Sequence, residues 1–230
     1  MIFDPVYFLF IAPALLLSLW ASYQVKRNFS KYSRVPTARG LTGAEAAAWI
    51  LRQAGIEDVK IQRARGLLSD HYNPVTKTLA LSDEVFGSPS VAAVGVAAHE
   101  AGHAIQHAQG YAPLWLRSIL VPTANIGSSL GYLVMLFGLL LGAANLVLIG
   151  AVLFSMVLLF QIVTLPVEFD ASRRAKQLLL QYGIVTERER EGVAKVLNAA
   201  ALTYVAAAIS TLLTLLYFLM RAGLLGGRRD

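Results

Sequence analysis

Between Arg117 and Glu168 the chain carries no Asp, Glu, Lys, Arg or His. A chain of 230 residues has no core large enough to hide an apolar run of that length. A bilayer offers the alternative, since its hydrocarbon takes about 20 apolar helical residues to cross. This run is long enough for two crossings, with Gly142-Ala143-Ala144-Asn145 as the natural turn between them. Two further charge-free runs, Asp4 to Lys26 and Lys195 to Arg221, are each one crossing long. The pattern predicts spans near residues 5–24, 119–141, 146–166 and 197–220. The last is the most polar, with Thr203, Ser210, Thr211 and Thr214. A cleaved leader has its positive charge ahead of the apolar run, whereas the first basic residue here, Lys26, follows it. The first run therefore reads as a retained anchor.

Composition agrees. Hydrophobic residues make up 56% and charged residues only 15%, against about 45–50% and 25% in soluble domains. An ordinary soluble enzyme and a disordered chain are both excluded. With no cysteine, so are disulfides, thiolate metal sites and a cysteine nucleophile. Of the 20 Lys and Arg, all but Arg221, Arg228 and Arg229 fall within 25–117 and 168–196. Four spans put those two segments on one side of the membrane, and positive charge marks that side as cytoplasmic. The net charge of +6 is then a consequence of topology, and no nucleic-acid partner is implied; the partners are the lipid bilayer and a substrate.

The segment after the anchor has ordinary polarity. Thr42 and Glu45 form a capping-box pattern ahead of a helix ending at Gly55. Val59, Ile61 and Ala64 alternate with polar residues, as do residues 75–82 after the Asn73-Pro74 turn, which predicts a small antiparallel sheet. That sheet either packs the next helix or takes an extended peptide as an added strand, in which case Thr78, Leu79, Ala80 and Leu81 are the substrate strand.

Next comes His99-Glu100-Ala101-Gly102-His103, an HExxH pattern. Helical residues four apart lie about 40° apart around the axis and one turn along it. Two imidazoles so placed converge on one ion, and the intervening glutamate reaches a water activated by it. Zinc suits such an N/O donor set, so His99 and His103 are candidate metal ligands and Glu100 the candidate general base. Three of the chain's four histidines, His99, His103 and His107, lie within nine residues, on a helix of small residues where histidine has no packing advantage. His107 is eight residues after His99, about 12 Å along a continuous helix, too far to share the ion. It is expected to line or brace the site.

A catalytic zinc needs a third protein ligand. Glu168 is the first charge after the apolar hairpin, which returns the chain to where the HExxH helix ended. A carboxylate at a membrane boundary is costly unless a cation or partner satisfies it. Residues 168–175 read as the start of a helix with acids in its first turn. Asp170, about 200° around that helix, is the replacement if Glu168 is not the ligand.

HEAGHAIQH, a membrane hairpin and then VEFDASRRA resemble the bacterial neutral zinc metallopeptidases of the YugP type, over nearly the whole chain. More distantly the chain is similar to the HtpX heat-shock protease and the CAAX prenyl proteases. The resemblance implies a mostly α bacterial membrane protein of about four transmembrane helices, with a small α+β zincin-like (gluzincin) catalytic domain. It also implies one catalytic zinc held by His99, His103 and Glu168, with Glu100 as general base in hydrolysis of a peptide or protein substrate by a zinc-activated water. His107, His71, Arg173 and Arg174 are candidates for a second donor to the carbonyl oxygen. The chain departs from the distant relatives at Ser172, where they carry an aspartate bracing a zinc histidine.

The expected organisation is an anchor at 1–24, a soluble part at 25–117, a transmembrane hairpin at 118–167, a helix with the third ligand at 168–196, a last span at 197–220 and a basic tail at 221–230. Two alternatives come from other classes. A non-catalytic scaffold or chaperone would close its zinc with a fourth ligand. A site-2-type intramembrane protease would place HExxH inside a span and add an Asp-Gly motif in a later one, which this chain lacks. A transporter is disfavoured because the spans hold no charge.

Overall fold

A computed structural model describes residues 5–66 and 68–225; Arg228 and Arg229 of the expected tail lie outside them. In chain order the elements are α1 (Pro5–Tyr32), α2 (Gly43–Gln53), β1 (Lys60–Ala64), β2 (His71–Asn73), β3 (Thr78–Ser82), α3 (Asp83–Phe86), α4 (Val91–Ala108), α5 (Ala112–Ile126), a π-helical turn (Gly127–Gly131), α6 (Tyr132–Leu140), α7 (Ala144–Gln181) and α8 (Glu187–Arg221). Two compact units form. One comprises Met1–Ala21, Trp115–Leu165 and Thr203–Asp230; the other comprises Ser22–Leu114 and Pro166–Leu202.

The first unit contains the apolar runs. Among the described residues, four helical stretches are long and apolar enough to cross a membrane: Pro5–Tyr32, Ala112–Leu140, Ala144–Gln181 and Glu187–Arg221. Their outward side chains include Leu9, Leu16, Leu19, Ile149 and Val152, all exposed, as expected where the surrounding solvent is hydrocarbon. Inside, Met135, Val147, Phe154, Tyr217 and Phe218 form the buried cluster. Glycine makes the hairpin close: a Cβ on Gly131 would lie 2.6 Å from the Phe154 nitrogen, and one on Gly150 2.5 Å from the Met135 nitrogen. Small residues of this kind let membrane helices approach backbone to backbone.

Helix α7 corrects one expectation. Glu168 does not open a new helix; it lies inside α7, which continues unbroken from Ala144 to Gln181. Pro166 removes one ladder hydrogen bond, but its fixed φ suits a helix. The change from apolar to charged side chains at Glu168 alters the surroundings and leaves the backbone period intact. Likewise α8 carries its charged start and its apolar remainder in one helix.

The second unit is built around α4. Ser90 caps it, accepting from the Ala93 amide at 3.3 Å, and the expected capping box at Thr42 and Glu45 opens α2. The core joins Ile50 and Leu51 of α2, Leu79 and Leu81 of β3, Val94, Ala97 and Ala101 of α4, and Ala175 and Leu179 of α7. The sheet has strand order β1-β3-β2. It is mixed where an antiparallel sheet was expected: β1 pairs with β3 in parallel, and β2 pairs with β3 antiparallel. The second strand is also shorter than residues 75–82, starting at Thr78 after a turn that contains Lys77 at φ 50°. Because β3 is the middle strand, both its edges are already hydrogen-bonded, and Leu79, Ala80 and Leu81 are buried. Thr78, Leu79, Ala80 and Leu81 therefore cannot receive an added substrate strand, which needs a free edge. They form the packing floor under α4.

Candidate metal centre

His99 and His103 project one turn apart from α4, with ring centroids 4.7 Å apart and planes at 83°. Glu168 comes to them from α7, whose backbone runs very close to α4 at this level. A Cβ on Gly102 would sit 2.9 Å from the Ala171 carbonyl oxygen and 3.3 Å from its Cα. The glycine inside HExxH is thus what lets the two helices, and their ligands, approach. Glu168 Oε2 lies 3.2 Å from His99 Nε2 and 3.6 Å from His103 Nε2. One ligand atom from each of the three residues falls within 4.8 Å of the others, and among the described residues no fourth His or acid joins the group.

The donor set fits zinc. Tetrahedral bonds of about 2.0–2.1 Å place ligand atoms about 3.3–3.4 Å apart, which the two Nε2–Oε2 separations bracket. The group also demands a cation. Glu168 is 2% exposed, and two bare imidazole nitrogens facing its oxygen would be three lone pairs in contact. Without a metal the cation is a proton. Burial works against a charged His103 ring, but the hydrogen bond to Glu168 and the nearby Glu100 and Glu168 charges outweigh it and hold the imidazole above its ordinary value. Burial would likewise raise the Glu168 carboxyl, but the hydrogen bonds of His103 and His99 hold it far below the ordinary carboxylate range.

The other ring nitrogens are also engaged. His99 Nδ1 meets the Ser172 hydroxyl at 3.1 Å, so the residue that departs from the distant relatives still touches the His99 ring. His103 Nδ1 meets Gln106 Oε1 at 3.0 Å. Gln106 was not singled out from the sequence. Its signal is there: a glutamine three residues beyond a histidine ligand, among alanine, glycine and isoleucine. Glu100 is buried at 8% exposure, and among the described residues its carboxylate forms no hydrogen bond or ion pair.

The remaining candidates lie outside the ligand group. α4 runs unbroken to Ala108, and His107 Nδ1 hydrogen-bonds the Tyr72 hydroxyl at 2.8 Å. His71 is exposed on β2 with its Nδ1 on the Ser69 carbonyl at 2.8 Å. Arg173 and Arg174 both pair with Asp170, and Arg174 reaches Gln109 at 2.6 Å. Asp170 thus faces these guanidiniums and Gln106, and it lies outside the group that could hold a metal.

Residues 7–223 match the family model described as "Putative neutral zinc metallopeptidase". The chain belongs to this family. A curated relative, "Putative membrane protease YugP" of Bacillus subtilis (strain 168), is 48% identical over 214 residues, 93% of this chain and 95% of the relative. No solved structure matches the chain. In this member of the family, four helices among the described residues are long and apolar enough to cross a membrane, and they accompany a group of two histidines and a glutamate that could hold a metal.

Proposed function

We propose that this protein is a membrane-bound zinc metalloendopeptidase that cleaves peptide bonds at the His99–His103–Glu168 centre. The observation that carries this reading is the donor set: two imidazole nitrogens and one buried carboxylate oxygen converge with no fourth ligand among the described residues. A structural zinc is closed by four protein ligands, whereas a catalytic one keeps a position open. The family description and the name of the Bacillus relative point the same way.

His99 and His103 would hold the ion through Nε2, and Glu168 through a carboxylate oxygen. When bound, zinc supplies Lewis-acid activation of water and polarises the substrate carbonyl. Glu100 takes the proton of the attacking water on its carboxylate and delivers it to the leaving nitrogen. Among the described residues no hydrogen bond occupies its carboxylate, which leaves the oxygens open to the water. Ser172 and Gln106 hold the rings of His99 and His103. The distribution of Lys and Arg supports a cytoplasmic position for this centre. Helix α4 is not among the four apolar stretches, which disfavours a site-2-type intramembrane arrangement.

The test is cleavage of a fluorescently labelled unfolded protein by the purified full chain in detergent. A chelator should abolish cleavage and zinc should restore it. Glu100→Gln should bind zinc as the parent does and cleave about 10²–10⁴-fold more slowly. Cleavage at the parental rate by Glu100→Gln would sink the hydrolase reading.

A further inference from the structure

Gln106 is fully buried, and both ends of its amide are committed. Nε2 donates to the Val167 carbonyl at 2.9 Å and to Asp170 Oδ2 at 2.9 Å. A carbonyl and a carboxylate only accept hydrogen bonds, so the nitrogen must face them and the amide has a single orientation. Its oxygen then faces His103 Nδ1 at 3.0 Å. An amide oxygen also only accepts, so Nδ1 must carry hydrogen. Nε2, the atom turned toward Glu168, is then the nitrogen left to take the ion.

We infer that Gln106 is a positioning residue that sets His103 as the Nδ1–H tautomer and presents its Nε2 to the metal, with Asp170 holding the Gln106 amide in register. The metal half of this inference rests on the zinc reading above. Asp170 is itself fixed, by Arg173 and by Arg174 Nε at 2.5 Å. A chain of four side chains therefore runs from the Arg174 guanidinium through Asp170 and Gln106 to a ligand ring, and each member has one available role. His99 is different. Its Nδ1 partner is the Ser172 hydroxyl, which donates or accepts equally well and imposes no tautomer. One ligand histidine has an Nδ1 partner that can only accept, held by α4 and α7; the other has a hydroxyl that can turn. Partners of this kind are worth about 10–100-fold in metal affinity.

Two measurements on the full chain in detergent test this. In the zinc-loaded protein labelled with 15N-histidine, the His103 ring (its signals assigned by their loss in His103→Gln) should carry its hydrogen on Nδ1, with Nε2 on the ion. A His103 ring bound to the ion through Nδ1, with its hydrogen on Nε2, would overturn the inference without any question of misfolding. In a competition titration with zinc, Gln106→Met should bind about 10–100-fold more weakly, with Asp170→Ala and Ser172→Ala each losing less. Circular dichroism checks that the variants keep the parental helix content. Gln106→Met binding as tightly as the parent would overturn the inference and leave the zinc reading standing. A parent chain that binds no zinc would overturn both.

Discussion

Replacing Gly102 by alanine tests how the two halves of the metal centre are brought together. The new Cβ would lie 2.9 Å from the Ala171 carbonyl oxygen, 3.3 Å from its Cα and 3.4 Å from its carbonyl carbon. Carbon atoms rest comfortably at about 3.5–4.0 Å, so α4 must draw back from α7 by roughly half an ångström. The opposing atoms are backbone and cannot swing aside. Two energies compete. Alanine gains about 1 kcal/mol of helix propensity over glycine, and overpacking costs about 1–3 kcal/mol, so the fold itself should lose about 0–2 kcal/mol. The ligands feel the displacement more sharply, because a metal site tolerates about 0.2 Å in each bond. Zinc affinity should fall about tenfold or more, by competition titration against a fluorescent chelator. Gly95→Ala on the same helix is the control: its Cβ meets the Val193 side chain at 3.1 Å, which can give way. Parental zinc affinity in Gly102→Ala would refute the idea that close approach of α4 and α7 positions the ligands.

Zinc affinity should also depend on pH with a definite sign. The folded chain holds the His103 proton more firmly than an unfolded one, owing to Glu168 and Glu100. The stabilisation from that proton is complete below about pH 6.5, the ordinary histidine value, and fades as pH rises through the folded value. Zinc competes for the same nitrogen, so its apparent affinity should fall as pH drops through this range, and binding at neutral pH should release protons. Calorimetry in buffers of different ionisation enthalpy measures the release; none at pH 7 would contradict the paired state. His107→Ala should keep parental zinc affinity, because its ring is held by Tyr72; loss of zinc would make it a ligand.

The spans and the HExxH helix were legible because each rests on a local rule: absence of charge over a membrane's thickness, and a four-residue spacing on one helical face. Glu168 was legible because an even number of crossings returns the chain to its starting side. What escaped depends on contacts that no local rule encodes. Alternation marked residues 78–82 as a strand but could not say that β1 pairs with it in parallel, or that β2, only three residues long, takes its other edge. The partners of the ligand rings escaped for a similar reason. Ser172 sits one turn beyond Glu168 and Asp170 about half a turn beyond it, on different faces of α7. Which of them meets a histidine, and which meets Gln106, is decided by how α4 seats at Gly102.

The zinc content of the purified full chain, set beside that of Glu168→Ala, tests the metal centre most directly. Elemental analysis should find one zinc per parent chain and little or none in the variant, with helix content unchanged. Equal zinc in both would mean that the glutamate brought in by α7 does not hold the ion.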